Sequence, residues 1–151
     1  MNIELTINGR KRRFDIAPGD MLVDVLRAQG YTEVKKGCDS GSCGVCSVLL
    51  DGTPILSCSL FAAKADGREI TTIKGIEEEA AEFADHLTAQ GADQCGFCGP
   101  AFALTVHALM QEKKNPTLAE IKHYLAGNLC RCSGYEGQIR AIESYVEAKN
   151  G

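Results

Sequence analysis

No apolar run in the 151-residue sequence approaches the roughly 18–20 residues that a membrane-spanning helix needs, so no membrane span is expected. No signal peptide is expected either: alternating Ile3, Leu5 and Ile7 lead into a basic run, not the charged-then-apolar order of a secretory leader. The expected location is therefore cytoplasmic. Positive charge is not in excess, with 16 Lys and Arg against 20 Asp and Glu and a net charge of -4. Phosphate binding needs a positive field, so nucleic acid is excluded as the main partner. The exception, Arg10-Lys11-Arg12-Arg13, reads as a solvated outer strand, with a docking patch for an acidic partner subunit as the rival reading. There is no Gly-rich phosphate loop, no low-complexity segment and no internal repeat.

What the sequence does have is a core-forming share of hydrophobic residues, 44%, and eight cysteines. The length suits one ordinary domain or two small ones. The first half reads as strands with one helix. Asn8-Gly9 is a hairpin signal between residues 3–7 and Arg12 to Ile16, and Asp51-Gly52 is another between Val48 to Leu50 and Thr53 to Leu56. Asp20 is placed to cap a helix bearing Met21, Leu22, Val25 and Leu26, with Gly30 to end it. A last strand is expected over Glu69 to Ile73.

The second half reads as four helices. The first has Ile76, Ala80, Phe83, Ala84 and Leu87 on one face and Gly91 as its stop. Gly99-Pro100 opens the next, with Gly99 as an acceptable N-cap, Pro100 at its first position, and Phe102, Val106, Leu109 and Met110 facing inward. Thr117 to Glu120 is a capping box for a third helix that stops at Gly127. Ile139, Ile142, Tyr145 and Val146 mark the fourth. The expected fold is α+β: a β-grasp, plant-type ferredoxin-like domain over residues 1–75, then a four-helix bundle domain over residues 76–151.

Clustered cysteines in a cytoplasmic protein point to metal or redox chemistry rather than disulfides. Cys38, Cys43 and Cys46 form C-x4-C-x2-C, and Cys58 follows. That spacing matches the plant-type [2Fe–2S] ligand run. Two sulfide-bridged irons need four thiolates from a loop that wraps them, and Gly37, Gly41 and Gly44 permit the wrapping. Their N–H groups can also reach the sulfurs. A structural zinc site is the competing reading. Cys95 and Cys98, with Cys130 and Cys132, form a second set of four with no thiol left over. Taken alone, this set suits zinc nearly as well as iron.

Three segments in register carry a resemblance: Gly37 to Cys46, Gln94-Cys95-Gly96-Phe97-Cys98, and Gly127-Asn128-Leu129-Cys130-Arg131-Cys132-Ser133-Gly134-Tyr135. The chain resembles, from about Ile3 to Val146, the small iron–sulfur subunit of the molybdenum hydroxylases, the xanthine oxidase, xanthine dehydrogenase and aldehyde oxidoreductase family. The resemblance implies two [2Fe–2S] clusters, one on Cys38, Cys43, Cys46 and Cys58, the other on Cys95, Cys98, Cys130 and Cys132. It implies that the second lies close to a molybdopterin cofactor on a large partner subunit, with Gln94 hydrogen-bonded to the pterin and Cys132 beside the pterin's amino end. The first would face FAD on a medium subunit. The assembly would be a heterotrimer or its dimer.

The sequence departs from the family where Gly99-Pro100-Ala101 stands for the usual Thr-Pro-Gly, and where Ser133 replaces a common threonine but keeps its hydroxyl. Arg131 could raise the potential of the second cluster or form a salt bridge at a subunit surface. His86, His107 and His123 read as surface or packing residues, and Tyr135 as a packing residue.

The implied role is that of the electron-transfer subunit of a molybdenum-dependent oxidoreductase, passing single electrons from the molybdopterin centre through both clusters to FAD. No catalytic residue for the substrate is expected on this chain. A purine such as xanthine is the first substrate expectation. Nicotinate and other N-heterocycles, aldehydes and carbon monoxide are the alternatives, and some relatives run reductively on aromatic thioesters. A free-standing ferredoxin-like carrier is the rival function, and a zinc-stapled interaction module a third.

Overall fold

A computed structural model describes all residues from Met1 to Gly151. Strands β1 (Asn2–Ile7) and β2 (Arg10–Asp15) form a hairpin. Asn8 and Gly9 turn it, both at positive φ, 49° and 76°, as a two-residue hairpin turn of the primed type requires. The same chemistry recurs at Asp51 and Gly52, joining β3 (Ser47–Leu50) to β4 (Thr53–Leu56). Strand β5 (Glu69–Thr71) lies parallel to β1 and antiparallel to β3, giving the sheet order β2-β1-β5-β3-β4.

Helix α1 (Leu22–Ala28) packs on one face of this sheet, the β-grasp arrangement. The core between them holds Ile3, Leu5, Ile7, Leu22, Val23, Leu26, Val48, Leu50 and Ile70, each no more than 5% exposed. Burying such a side chain contributes roughly 1.5–3 kcal/mol. Helix α1 ends as its glycine foretells: Gly30, at φ +89°, donates to the Arg27 carbonyl and Tyr31 to that of Leu26, a Schellman closure.

Four helices complete the chain: α2 (Glu77–Ala89), α3 (Gly99–Glu112), α4 (Leu118–Tyr124) and α5 (Glu136–Asn150). Phe83, Phe102, Val106, Leu109, Ile121, Ile142 and Tyr145 fill their common core. A third apolar cluster, Leu49, Ile76, Leu104 and Ala108, joins the back of the sheet to α3. Every residue of β3 is buried, because Val48 and Leu50 face the α1 core while Leu49 faces α3. No helix is long and apolar enough to cross a membrane.

Several local expectations need correction. Asp20 does not cap α1; its carboxylate instead accepts from the Ala17 amide at 2.8 Å, closing the Pro18-Gly19 turn, and Met21 takes the cap position. Strand β5 stops at Thr71 because Thr72 is held by Asn8, which accepts from its amide and donates to its hydroxyl. Ala84 is exposed rather than part of the inner face of α2. Cys98, not Gly99, sits at the start of α3, so Pro100 is the second helical residue. Helix α4 ends at Tyr124, short of Gly127.

Candidate metal centres

The loop from Gly37 to Cys46 runs into β3. Gly41 and Gly44, at φ +69° and +74°, bend it where a side chain would be strained. The Cys38 sulfur is the focus of the loop's amides. The Cys43 N–H, then the Cys43 thiol, then the N–H groups of Ser40 and Ser42 hold Cys38 down at about 5. Such a nest of N–H groups favours an anion. Burial pushes Cys43 up, against the amides of Val45 and Gly37. Burial also pushes Cys46 up to about 11, and its neighbour is Cys58.

Cys58 stands on a short 3-10 turn, Ser57–Ser59. Fully buried Ser57 donates its hydroxyl to the Cys46 carbonyl at 2.6 Å, which fixes that turn against the loop. A Cβ on Gly41 would lie 3.0 Å from Ser59 Oγ, so the loop closes tightly over the turn. The thiols fall into two neighbouring pairs, Cys38 with Cys43 and Cys46 with Cys58.

Cys95, Cys98, Cys130 and Cys132 line one cavity, with Leu87, Ala92 and Phe102 in its wall. They too form pairs, Cys98 with Cys130 and Cys95 with Cys132. Cys98 is pushed up to about 11 by burial and then by the Cys130 and Cys95 sulfurs. At Cys130 burial also pushes upward, but the Ser133 hydroxyl and amide, donating at 3.3 and 3.4 Å, outweigh it and bring the thiol to about 7. The hydroxyl kept by Ser133 thus serves a cysteine sulfur. Cys132 is exposed and is raised chiefly by the adjacent Cys95 thiol.

Paired thiols suit a two-iron cluster, in which two protein thiolates complete each iron. Both donor sets fit [2Fe–2S] groups.

The two thiol groups adjoin. The Leu129 amide donates to the Cys43 carbonyl at 3.0 Å. Gly44 lies so close to Gly127 that a Cβ there would come within 2.0 Å of the Gly127 carbonyl oxygen. A groove at this junction is lined by Gly37, Cys43 and Val45 on one side and Cys95, Phe97 and Cys132 on the other. Arg131 also lines it and is exposed. Exposed Gln94 donates its side-chain amide to the Cys132 carbonyl at 3.3 Å. Tyr135, expected to pack, is 38% exposed and accepts from the Cys130 amide through its hydroxyl at 3.0 Å. His86 meets the Ser144 hydroxyl and the Tyr145 ring, away from both thiol groups.

A 2Fe-2S iron-sulfur cluster binding domain matches residues 5–72, and a [2Fe-2S] binding domain matches residues 72–143. The xanthine dehydrogenase iron-sulfur-binding subunit of Escherichia coli O157:H7 is 43% identical over 146 residues, covering 94% of this chain and 92% of that one. The chain belongs to the iron–sulfur subunits of the molybdenum hydroxylase family. Another relative, the nicotinate dehydrogenase small FeS subunit of Eubacterium barkeri, is 39% identical and covers 97% of this chain and 96% of its own. The fold of this iron–sulfur subunit is shared with a chain of quinoline 2-oxidoreductase from Pseudomonas putida 86, with a TM-score of 0.89, 38% identity, and coverage of 99% and 96%.

Sequence reasoning missed Ser57 and Gln138, which touch the thiol groups without belonging to a cysteine motif. A hydroxyl directly before Cys58 was the available signal for the first. Gln138 gave a fainter one, a polar residue on the buried face of an amphipathic helix.

Proposed function

We propose that this iron–sulfur subunit relays single electrons from a molybdopterin centre on a large partner subunit, through two [2Fe–2S] clusters, to FAD on a medium partner subunit. The observation that carries the reading is the meeting of two complete cysteine quartets through the Leu129–Cys43 hydrogen bond. A [2Fe–2S] group, when bound, supplies one-electron uptake and release.

The chain's own residues do the holding and the shielding. Cys38, Cys43, Cys46 and Cys58 would hold one group, and Cys95, Cys98, Cys130 and Cys132 the other. Residues 1–75 and 76–151 would be their two domains. The amides around Cys38 and the Ser133 hydroxyl donate to ligand sulfurs and so favour added negative charge. Leu87, Ala92 and Phe102 wall the C-terminal site on its inner side, while Cys95 and Cys132 are left exposed on its outer side.

Gln94 and Cys132 are exposed, and Phe97 and Leu129, 46% and 49% exposed, stand by them as an apolar rim. That rim suits burial by the large subunit, where Gln94 would hydrogen-bond the pterin and Cys132 would lie beside its amino end. Exit would be through the Cys38 loop toward FAD, within a heterotrimer or its dimer. The Escherichia coli relative supports a purine such as xanthine as the substrate; the nicotinate relative supports an N-heterocycle instead.

The test is anaerobic rapid mixing of the assembled complex with xanthine. In Cys43→Ala, substrate should still reduce the C-terminal centre while flavin stays oxidised. In Cys98→Ala, the N-terminal centre should stay oxidised. The reverse pattern, or native protein that elutes as the single chain, would overturn the relay.

A further inference from the structure

Gln138 is the third residue of α5 and only 3% exposed. It lines the same cavity as Cys95, Cys98, Cys130 and Cys132. Its Nε2 lies 4.0 Å from Cys98 Sγ, and its buried Oε1 has no partner. Burying half an amide unsatisfied is costly, and an apolar side chain of similar shape would avoid the cost. The surroundings otherwise invite such a replacement, since Phe102, Leu87 and Ala92 share the cavity wall.

The backbone is fitted to bring this side chain in. A Cβ on the preceding Gly137 would come within 3.2 Å of Ala92 Cβ and 3.3 Å of the Gln90 carbonyl. The bare glycine lets the first turn of α5 seat against the end of α2, which delivers Gln138 to the thiols. The amide has one sensible orientation there. Turned the other way, Oε1 would face a thiolate sulfur and repel it; with Nε2 inward, the amide donates.

We propose that the Gln138 amide donates a hydrogen bond to the Cys98 sulfur and thereby raises the midpoint potential of the C-terminal [2Fe–2S] centre. This rests on the reading of the four C-terminal thiols as its ligands. Reduction adds one negative charge to the centre. A hydrogen bond strengthens as its acceptor becomes more negative, so the donor stabilises the reduced form more than the oxidised one. Burial keeps water from substituting for it. Gln138 is thus a positioning and tuning residue, not a catalytic one. In the N-terminal group the side-chain partners of the sulfurs are serine hydroxyls, Ser59 on Cys58 at 3.5 Å and Ser57 on Cys46, while Cys38 is served chiefly by backbone amides.

Potentiometric titration of the assembled complex, followed by electron paramagnetic resonance, compares wild type with Gln138→Leu. At a fixed potential near the midpoint, the reduced-to-oxidised ratio of the C-terminal centre should fall about two- to threefold, since only the difference in bond strength between the two states counts and a whole ordinary hydrogen bond supplies about fivefold. The N-terminal centre should not move. A second measurement does not depend on that variant folding: wild type labelled with 15N in its glutamine side chains should show nitrogen coupling to the reduced C-terminal centre, lost in Gln138→Met. Unchanged potentials with both centres present, or no coupling in wild type, overturns the proposal. Absence of the C-terminal centre from wild type would instead overturn the ligand reading beneath it.

Discussion

The backbone carbonyl of Cys43 accepts a 3.0 Å hydrogen bond from the amide of Leu129, the residue before Cys130. One hydrogen bond therefore links the covalent frames of the two cysteine groups. It also satisfies two polar groups at a junction where the chain leaves little space, since Gly44 and Gly127 touch directly beside it. The bond joins two backbone groups, and the Phe97 ring adds a side-chain contact beside Gly37 at the same junction.

Metal analysis of the isolated complex should find four irons and four acid-labile sulfides per chain, as two quartets of thiolates require. Electron paramagnetic resonance of the reduced protein should resolve two species. The N-terminal group lies in an amide-rich loop, while the C-terminal group sits in a cavity between helix ends. Stoichiometric zinc, or a single species, would contradict the assignment. Cys98→Ala should remove the C-terminal species and leave the N-terminal one.

Gly44→Ala should be far more damaging than Gly52→Ala. Both glycines have positive φ, +74° and +83°, so each substitution carries the left-handed penalty of about 1–2 kcal/mol. Around Gly52 there is open space, whereas at Gly44 the new methyl would drive into the Gly127 carbonyl. Thermal unfolding should show a drop of a few degrees for Gly52→Ala. Gly44→Ala should show a larger drop together with loss of iron. Equal effects would mean that the Gly44–Gly127 contact is not a constraint.

Gln94→Ala should leave both centres assembled. Its one hydrogen bond within the chain, to the Cys132 carbonyl, and the one proposed to the pterin are each worth roughly 0.5–1.5 kcal/mol. The expected result is a modest fall in retained molybdenum cofactor or in turnover. Unchanged cofactor content and rate would leave Gln94 as a local tether of Cys132 only.

The capping box of α4 gives a prediction with a defined pH window. Thr117→Ala should cost about 1 kcal/mol, the usual worth of an N-cap hydroxyl. Glu120 is held at about 2, against an ordinary 4.5, first by the Lys113 ammonium and then by the Thr117 amide and hydroxyl. A carboxyl lowered by folding contributes stability that is complete above its unfolded value and disappears as pH falls through its folded one. The gap in unfolding midpoint between wild type and Glu120→Gln should therefore hold steady down to about pH 5 and close between about 4.5 and 2. A gap that widened on acidification would reverse the assignment.

Local chemistry was the legible part of this fold. Asn8-Gly9 and Asp51-Gly52 announced both hairpins, Gly30 and Gly91 both Schellman stops, and Thr117 with Glu120 the capping box, because each acts within a few residues. The Cys38–Cys43–Cys46 run and the Cys95–Cys98 and Cys130–Cys132 pairs were legible as motifs for a related reason, as short spacings limit what a loop can wrap. The grouping of the last two pairs came instead from the cysteine count and the family resemblance. Asp20 misled because its carboxylate had a nearer alternative in the Ala17 amide. Ala84 misled because alanine is small enough to suit either side of a helix. The rest depends on residues distant in sequence. Nothing near Gly44 reveals Gly127, nothing near Cys98 reveals Gln138, and nothing near Cys46 assigns its carbonyl to Ser57.

Strand β3, buried on both faces, has a consequence for the order of events during synthesis. The ferredoxin-like half leaves the ribosome first, yet the side of its sheet carrying Leu49 is only partly covered, by Ile73 and Ile76, until Leu104 and Ala108 of α3 have been made. Early domains ordinarily fold as they emerge. Here the first-made half is left with a partly covered apolar flank and with the Cys43 carbonyl still awaiting Leu129. A chain cut between the two halves should therefore expose Leu49 and its neighbours as an apolar patch and be prone to sticking.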